Sequence, residues 1–495
     1  MPSPRPPARN TTFWRAARAD KASVIVDAED YFRCARAAML KARKRIMLIG
    51  WDFDARVQLV HETDDTAAPT TVGDLIYWLV EREPALEVYL LRWDLGALKS
   101  LFRGKTAFTV AKWMMHPRIR VKLDGHHPAG ASHHQKIVVI DDTFAFCGGI
   151  DMTGDRWDTR AHADDEPGRR NTDGSDYKPW HDATTALQGP AAAALGRHAR
   201  DRWKRATGHM LVGIQGKHDC WPDHLGVQFK NVEVLIARTA PRMDDQRAVT
   251  EIEQLYLAQI ARATRFIYAE SQYFASRRVA EAIARRLDEP DGPEVVIINP
   301  VAAQGWLEPV AMDTARARLV EALRQRDKHD RLRIYHPHTR DREPIYVHAK
   351  ILVIDDQVLR VGSSNLNNRS MRLDTECDVA IDCALTKDQD CSDAIAAVRD
   401  DLIAEHLGTT PDKIRAALAR SGSLITTIEA MRFTGRKNAK DRRRTLVPYE
   451  TPDLSTVETW LADNEVLDPE GPDEMFEPFS SRGLFRRLHL WRAPD

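Results

Sequence analysis

The stretch VHAKILVIDDQVLRVGSSN at Val347–Asn365 has a near copy in HHQKIVVIDDTFAFCGGID at His133–Asp151. Each copy reads His-x-Lys, then an apolar run, then Asp-Asp, with a glycine (Gly148, Gly362) fourteen residues past the histidine. The echo extends outward. RIRV at Arg118–Val121 returns as RLRI at Arg331–Ile334, and RIMLIGWDFD at Arg45–Asp54 is answered by RFIYAESQYF at Arg265–Phe274. The spacings of 213, 214 and 220 residues mean two domain-sized copies rather than an array of short repeats. Helical patterns at Asp27–Lys44 and Ala248–Thr264 precede short apolar strands, so each copy is expected to be a mixed sheet flanked by helices. The expected architecture is α/β: a first lobe at 1–230, a second at 231–400 related to it by a pseudo-two-fold axis, and a helical, basic extension at 401–495.

Strand geometry sorts the motif residues. Side chains at even separations share a face, so His348 and Lys350 point together, as do His134 and Lys136. Asp355 and Asp141 lie seven residues past the histidines, on the other face, where a carboxylate holds a turn rather than meeting the imidazole. Two histidines and two lysines around one phosphorus could cleave a phosphate diester. A neutral imidazole attacks, a protonated one donates to the leaving oxygen, and the ammonium groups neutralise the remaining oxygens. The glycine turns, Gly148-Gly149-Ile150-Asp151 and Gly362-Ser363-Ser364-Asn365, are expected to bring Gly149, Asp151, Ser363 and Asn365 close to the phosphate. Their mismatches make the site asymmetric. A lysine beside each histidine repels a cation, so no catalytic metal and no cofactor is expected.

At these motifs the sequence resembles the phospholipase D superfamily over most of Asp30–Ala384. The similarity also rests on GWDFD at Gly50–Asp54, PWHDATTALQGPAA at Pro179–Ala192, YAESQYF at Tyr268–Phe274 and GSSNLNNRSMRLDTE at Gly362–Glu376. The resemblance implies two α/β lobes around one active site. His134 would be the nucleophile and His348 the general acid, while Asp182 and Glu376 would orient the histidines crosswise between lobes. Trp51 and Tyr273 fall near equivalent points of the duplication and are expected as pocket walls, with Glu270 and Gln272 as polar groups beside them.

Composition narrows the function. With 495 residues, 29% charged and 43% hydrophobic, the chain is of ordinary globular type, and its net charge of −1 disfavours a nucleic-acid partner. Six scattered cysteines argue against a disulfide scaffold and fit a reducing compartment. No signal-peptide h-region and no run of ~18 apolar residues is present. The expectation is a monomer acting on phospholipid at a membrane surface, cytoplasmic, peripheral, or exported without a cleavable signal. The expected activity is that of a phospholipase D releasing phosphatidic acid. A cardiolipin synthase-like phosphatidyltransferase is the alternative, and a nuclease ranks below it.

Overall fold

The computed structural model describes residues 12–61, 67–94, 112–216, 218–304, 312–386, 390–432 and 443–452. Its strands run, in the first half, β1 Arg15–Val26, β2 Arg45–Gly50, β3 Glu87–Trp93, β4 Ile119–Asp124, β5 Ile137–Ile140, β6 Phe144–Gly148, β7 Trp180–His181 and β8 Ala183–Gln188. The second half contributes β9 Phe229–Ala240, β10 Val249–Thr250, β11 Phe266–Glu270, β12 Glu294–Ile298 and β13 Leu332–His338. It continues with β14 Tyr346–Val347, β15 Ile351–Ile354, β16 Val358–Gly362, β17 Glu376–Asp382 and β18 Thr445–Pro448.

One large mixed sheet carries the order β18-β13-β12-β11-β15-β16-β17-β9-β1-β8-β6-β5-β2-β3-β4. Counted outward from the β9–β1 pair, the two sides match strand for strand as far as β13 and β4. The sense of pairing matches as well: β2, β3 and β4 are mutually parallel, as are β11, β12 and β13. β1 and β9 join antiparallel, Arg15 opposite Ile236 and Ala22 opposite Phe229, so the sheet is continuous through the middle of the molecule.

Both faces of the sheet are covered, which is why its strands read as unbroken apolar runs. Along β5, Ile137 and Val139 face one cluster while Val138 and Ile140 face another. β15 repeats this, with Ile351 and Val353 on the first cluster and Leu352 and Ile354 on a third. The first cluster spans both halves under the helices Pro190–Thr207 and Cys391–Leu407, which lie in corresponding places.

The hairpin aspartates act on the scaffold. Asp141 and Asp355 occupy the left-handed region (φ 51 and 53), which aspartate tolerates. Asp141 accepts from the backbone N–H groups of Arg43, Lys44 and Arg45 at 2.6–2.8 Å. Asp355 accepts from those of Thr264, Arg265 and Phe266 and from the Thr264 hydroxyl. Each carboxylate thereby satisfies the backbone donors that lead into the strand beside its hairpin.

Four expectations are corrected. The His-x-Lys triplets do not lie on strands: β5 and β15 begin one residue after Lys136 and Lys350. Their backbones instead cross to the other half, with His134 N–H donating to Thr375 O (2.9 Å) and His348 N–H to His181 O (2.7 Å). The boundary at 230/231 falls inside β9, and that at 400/401 inside the helix Cys391–Leu407. The described part of the supposed extension is integrated, because β18 completes the sheet edge beside β13. Finally, Cys383 and Cys391 form a disulfide, closing a short connection that spacing alone had not marked as a pair. Residues 433–442 and 453–495 of the expected helical, basic extension lie outside the described residues.

Removing the Asp355 carboxylate leaves three backbone donors without their acceptor. Asp355→Ala is expected to destabilise the protein by about 3 kcal/mol, read as a lower urea midpoint at unchanged slope.

Candidate active site

β7 and β14 pair in parallel across the two halves, Trp180 opposite Tyr346 and His181 opposite Val347. That short ladder ends beside His348. On the other side, Thr375 N–H donates to Ser132 O (2.8 Å), which fixes the approach to His134. The two imidazole rings come together with centroids 6.4 Å apart and planes inclined at 64°.

Each ring is held by a carboxylate from the opposite half. Asp182 Oδ2 lies 2.6 Å from His348 Nδ1. Glu376 lies at 3.0 and 3.2 Å from His134 Nδ1, and Ser363 O also accepts there at 3.0 Å. With acceptors on Nδ1, the proton of a neutral ring sits on that nitrogen and the Nε2 lone pair is left for the cleft. Glu376 is itself tied by the hydroxyls of Ser363 (2.5 Å) and Ser370 (2.7 Å). Ser370 comes from a π-helical turn, Arg369–Leu373. Asp182 and Glu376 are fully buried.

The lysines are inserted from their own motifs. Lys136 Nζ donates to His134 O (2.7 Å) and pairs with Asp151 Oδ2 (3.1 Å). Lys350 Nζ donates to His348 O and lies 3.5 Å from Gln272 Oε1. Burial lowers both imidazoles well below their ordinary range, and Lys136 and Lys350 lower them further, so both rings are neutral at pH 7 before an anion arrives. Burial also pushes Lys350 down to about 7, against the pull of Asp182. The carboxyls of Glu376 and Asp182 are raised by the same loss of water, opposed at Glu376 first by the Ser363 hydroxyl and at Asp182 first by Lys350.

A cleft of about 550 Å³ opens over the paired rings. Trp51, Tyr273, Gln272, Asn365 and Asp151 line it with both histidines. Trp51 stacks on Trp93 (5.8 Å, 21°) and turns its edge to His134. Gln272 bridges the Tyr273 and Tyr346 hydroxyls (3.0 and 2.9 Å) and accepts from Asn365 Nδ2 (3.3 Å), giving one wall a fixed polar face.

Several residues stand elsewhere than expected. The glycine-turn donors are engaged by protein: Gly149 N–H donates to Ala183 O, and the N–H groups of Ser363 and Ser364 donate to Asp378. Ser363 Oγ turns to Glu376, so it acts on His134 through that carboxylate. Gly149 is small for a packing reason, since a Cβ there would come 2.2 Å from Asp182 Oδ1. Glu270 is not in the cleft; it lies fully buried behind it against His181 and His406. Among the lining residues that were missed, two bear on His348. Arg156 lies over the Trp180 ring (4.3 Å), and Trp180 packs on His348 (5.1 Å between centroids). Trp180 lies within the stretch PWHDATTALQGPAA, which was the available signal. Among the described residues, the side-chain groupings able to hold a cation lie outside the cleft.

Comparison with known proteins agrees with the geometry. A family model described as phospholipase D matches residues 38–280, and one described as cardiolipin synthase, phospholipase D-like domain, matches 256–392. Phospholipase D alpha 4 of Arabidopsis thaliana is 23% identical over 487 residues, covering 75% of this chain and 62% of its own length. Phospholipase D alpha 1 of Carica papaya is 24% identical, covering 76% and 63%. The chain thus spans somewhat under two thirds of those relatives. Among solved structures, phosphatidylserine synthase of Haemophilus influenzae Rd KW20 superposes with a TM-score of 0.53 at 15% identity, covering 85% of this chain and 97% of that one, a likeness of fold. The crossed histidine–carboxylate pairs and the two family models together place this chain in the phospholipase D superfamily.

Proposed function

We propose that the protein is a phospholipase D, hydrolysing the distal phosphodiester of a glycerophospholipid to phosphatidic acid and a head-group alcohol. The observation that carries this reading is the pair of neighbouring imidazoles, each with its Nδ1 on a buried carboxylate and its Nε2 left for the cleft. Phosphate diesters hydrolyse so slowly that catalysis must supply on the order of 20 kcal/mol. Positioned nucleophile, acid and cations share that task.

His134 Nε2 attacks phosphorus, forming an N–P bond as the bond to the head-group oxygen breaks. His348, protonated on Nε2, gives its proton to that oxygen. The required proton is favoured once the anionic diester sits between the rings, because its charge offsets Lys136 and Lys350. Water then attacks the phosphohistidine, passing its proton to His348 and returning His134 to neutrality. Lys136, Lys350 and Asn365 neutralise the non-bridging oxygens, while Asp182 and Glu376 hold tautomer and aim. Trp51, Trp93 and Tyr273 offer aromatic surface to the substrate, and Gln272 fixes the polar wall. The protein acts as a monomer at a lipid surface; no helix among the described residues is long and apolar enough to cross a membrane.

Vesicles of labelled phosphatidylcholine, phosphatidylethanolamine and phosphatidylglycerol, with and without a primary alcohol, test the reading. Phosphatidic acid, partly diverted to the alcohol-exchanged lipid, is the expected product. Cardiolipin formed from phosphatidylglycerol would assign the same phosphohistidine to a phosphatidyltransferase. Untouched lipid with cleaved DNA would overturn the lipid assignment altogether.

His134→Ala and His348→Ala are each expected to lower kcat by roughly 10³-fold or more, comparable to losing a general acid or a nucleophile elsewhere. Labelled phosphate should remain bound to the chain after quenching in wild type and not in His134→Ala.

Lys350 must be protonated to neutralise phosphate. Its charge is present below its pKa of about 7 in the free protein and is lost as pH rises through that value. The kcat/KM profile, which reports the free enzyme, is therefore expected to fall above about pH 7. Lys350→Arg should remove that limb even where the maximum is lowered.

A further inference from the structure

Behind the cleft lies a second set of buried groups that the proposed chemistry does not use. Asp27, His162, His181 and Glu405 are all 0–4% exposed, and one ligand atom from each falls within a sphere in which all lie within 4.8 Å of one another. They come from four places in the chain: the turn after β1, the loop 151–179, β7, and the helix Cys391–Leu407. His162 Nε2 is 3.3 Å from Asp27 Oδ2 and 3.1 Å from Glu405 Oε1. His181 Nδ1 is 3.2 Å from Asp27 Oδ1 and 2.8 Å from Glu405 Oε1.

We infer that these four side chains form a closed, buried binding site for one divalent transition-metal cation of the zinc type. Zinc bonds of about 2.0–2.1 Å in a tetrahedron put neighbouring ligand atoms roughly 3.3 Å apart, close to the imidazole–carboxylate edges found here. Two imidazoles with two carboxylates is a donor set suited to zinc rather than to calcium or magnesium, which favour oxygen alone.

Two independent features point to a cation. First, the far nitrogen of each ring is already held by another carboxylate: His162 Nδ1 by Asp158 (2.9 Å) and His181 Nε2 by Glu270 (2.7 Å). This carboxylate–histidine arrangement fixes the tautomer that leaves the near nitrogen unprotonated for a metal. Second, Asp27 Oδ2 is buried and accepts no hydrogen bond, yet it lies 3.3 Å from His162 Nε2 within the group.

Charge agrees. Arg160 pairs with Glu405 and Asp401, Arg169 pairs with Asp158, Arg444 donates to the Arg160 carbonyl, and Glu270 lies against His406, so five carboxylates (Asp27, Asp158, Glu270, Asp401 and Glu405) stand against three guanidinium groups. Two positive charges are lacking. One divalent cation supplies them with both rings neutral; without it, both rings must carry an extra proton in a site closed to water.

The site would act on position, not on phosphorus. Asp27 Oδ1 accepts from Asp182 N–H (3.1 Å), Asp27 N–H donates to Asp182 O (2.8 Å), and His181 O accepts from His348 N–H. A cation there would clamp the backbone that carries the Asp182 carboxylate.

The test is metal analysis of the untagged full-length protein, expressed with added zinc and dialysed against a chelator that clears surface sites. Inductively coupled plasma mass spectrometry is expected to find about one equivalent of zinc per chain. His162→Gln and Glu405→Gln should fall below one tenth of an equivalent, while His134→Gln keeps the full amount. Should those two variants fail to fold, X-ray absorption of the wild-type protein decides, with two imidazole nitrogens and two oxygens near 2.0 Å expected. Wild-type protein without bound metal after incubation with zinc, cobalt and manganese overturns the site in favour of a doubly protonated imidazole network. Metal kept by both variants, or a sulfur-containing shell, overturns the assignment equally.

Discussion

The arrangement on which the rest depends is the exchange of carboxylates between halves. Asp182 follows the first half's β7 yet orients the second half's histidine; Glu376 opens β17 yet orients the first half's. Each imidazole is thus fixed by a group whose position is set by the other copy. Two carboxylates buried among apolar strands are tolerable only because each has partners for its oxygens. The crossing explains the short β7–β14 ladder, the cross-half backbone bonds at His134 and His348, and the requirement for glycine at position 149, where Asp182 leaves no space for a Cβ.

Duplication gives the site its shape, and small departures from it give the rings unlike surroundings. His134 has a carboxylate braced by two hydroxyls, Ser363 and Ser370, whereas His348 has Asp182, whose carboxylate accepts from the Ala183 N–H and whose own N–H donates to Asp27. The lysines differ as well: Lys136 has Asp151 as a direct partner, while Lys350 has the neutral Gln272. A shared proton therefore meets two different environments, which is what distinguishing a nucleophile from an acid requires.

Much of this was legible in the sequence because it was repeated there. The paired His-x-Lys runs, the hairpin aspartates and the apolar strands each occur twice at a nearly constant spacing, so chance was easy to exclude. Odd–even counting turned Asp141 and Asp355 toward the scaffold on the premise of one continuous strand, whereas the histidines and lysines sit just before the strands; both carboxylates accept from backbone N–H groups. What could not be read was anything made by a single copy meeting a distant element. Ser363 turned away from the cleft because Glu376 competes for its hydroxyl. Glu270 looked like a pocket residue from its place beside Gln272, but β11 ends at Glu270 and the chain bends before Gln272, leaving Glu270 against His181 and His406. Cys383 and Cys391, eight residues apart, gave no pairing signal until β17 and the following helix brought them together. The Asp27–His162–His181–Glu405 group draws on residues scattered over most of the chain, with no local pattern at all.

The seam between β1 and β9 has a kinetic meaning. Its partners, Arg15 and Ile236, are separated by most of the first half, and closing a loop of that length costs roughly 5 kcal/mol of chain entropy before any contact rewards it. Such pairings form late, after the local hairpins around Asp141 and Asp355 have given each half its shape. Until the seam closes, each histidine stands in a half that lacks its own carboxylate. The crossed arrangement is therefore a property of the whole sheet and of neither half alone.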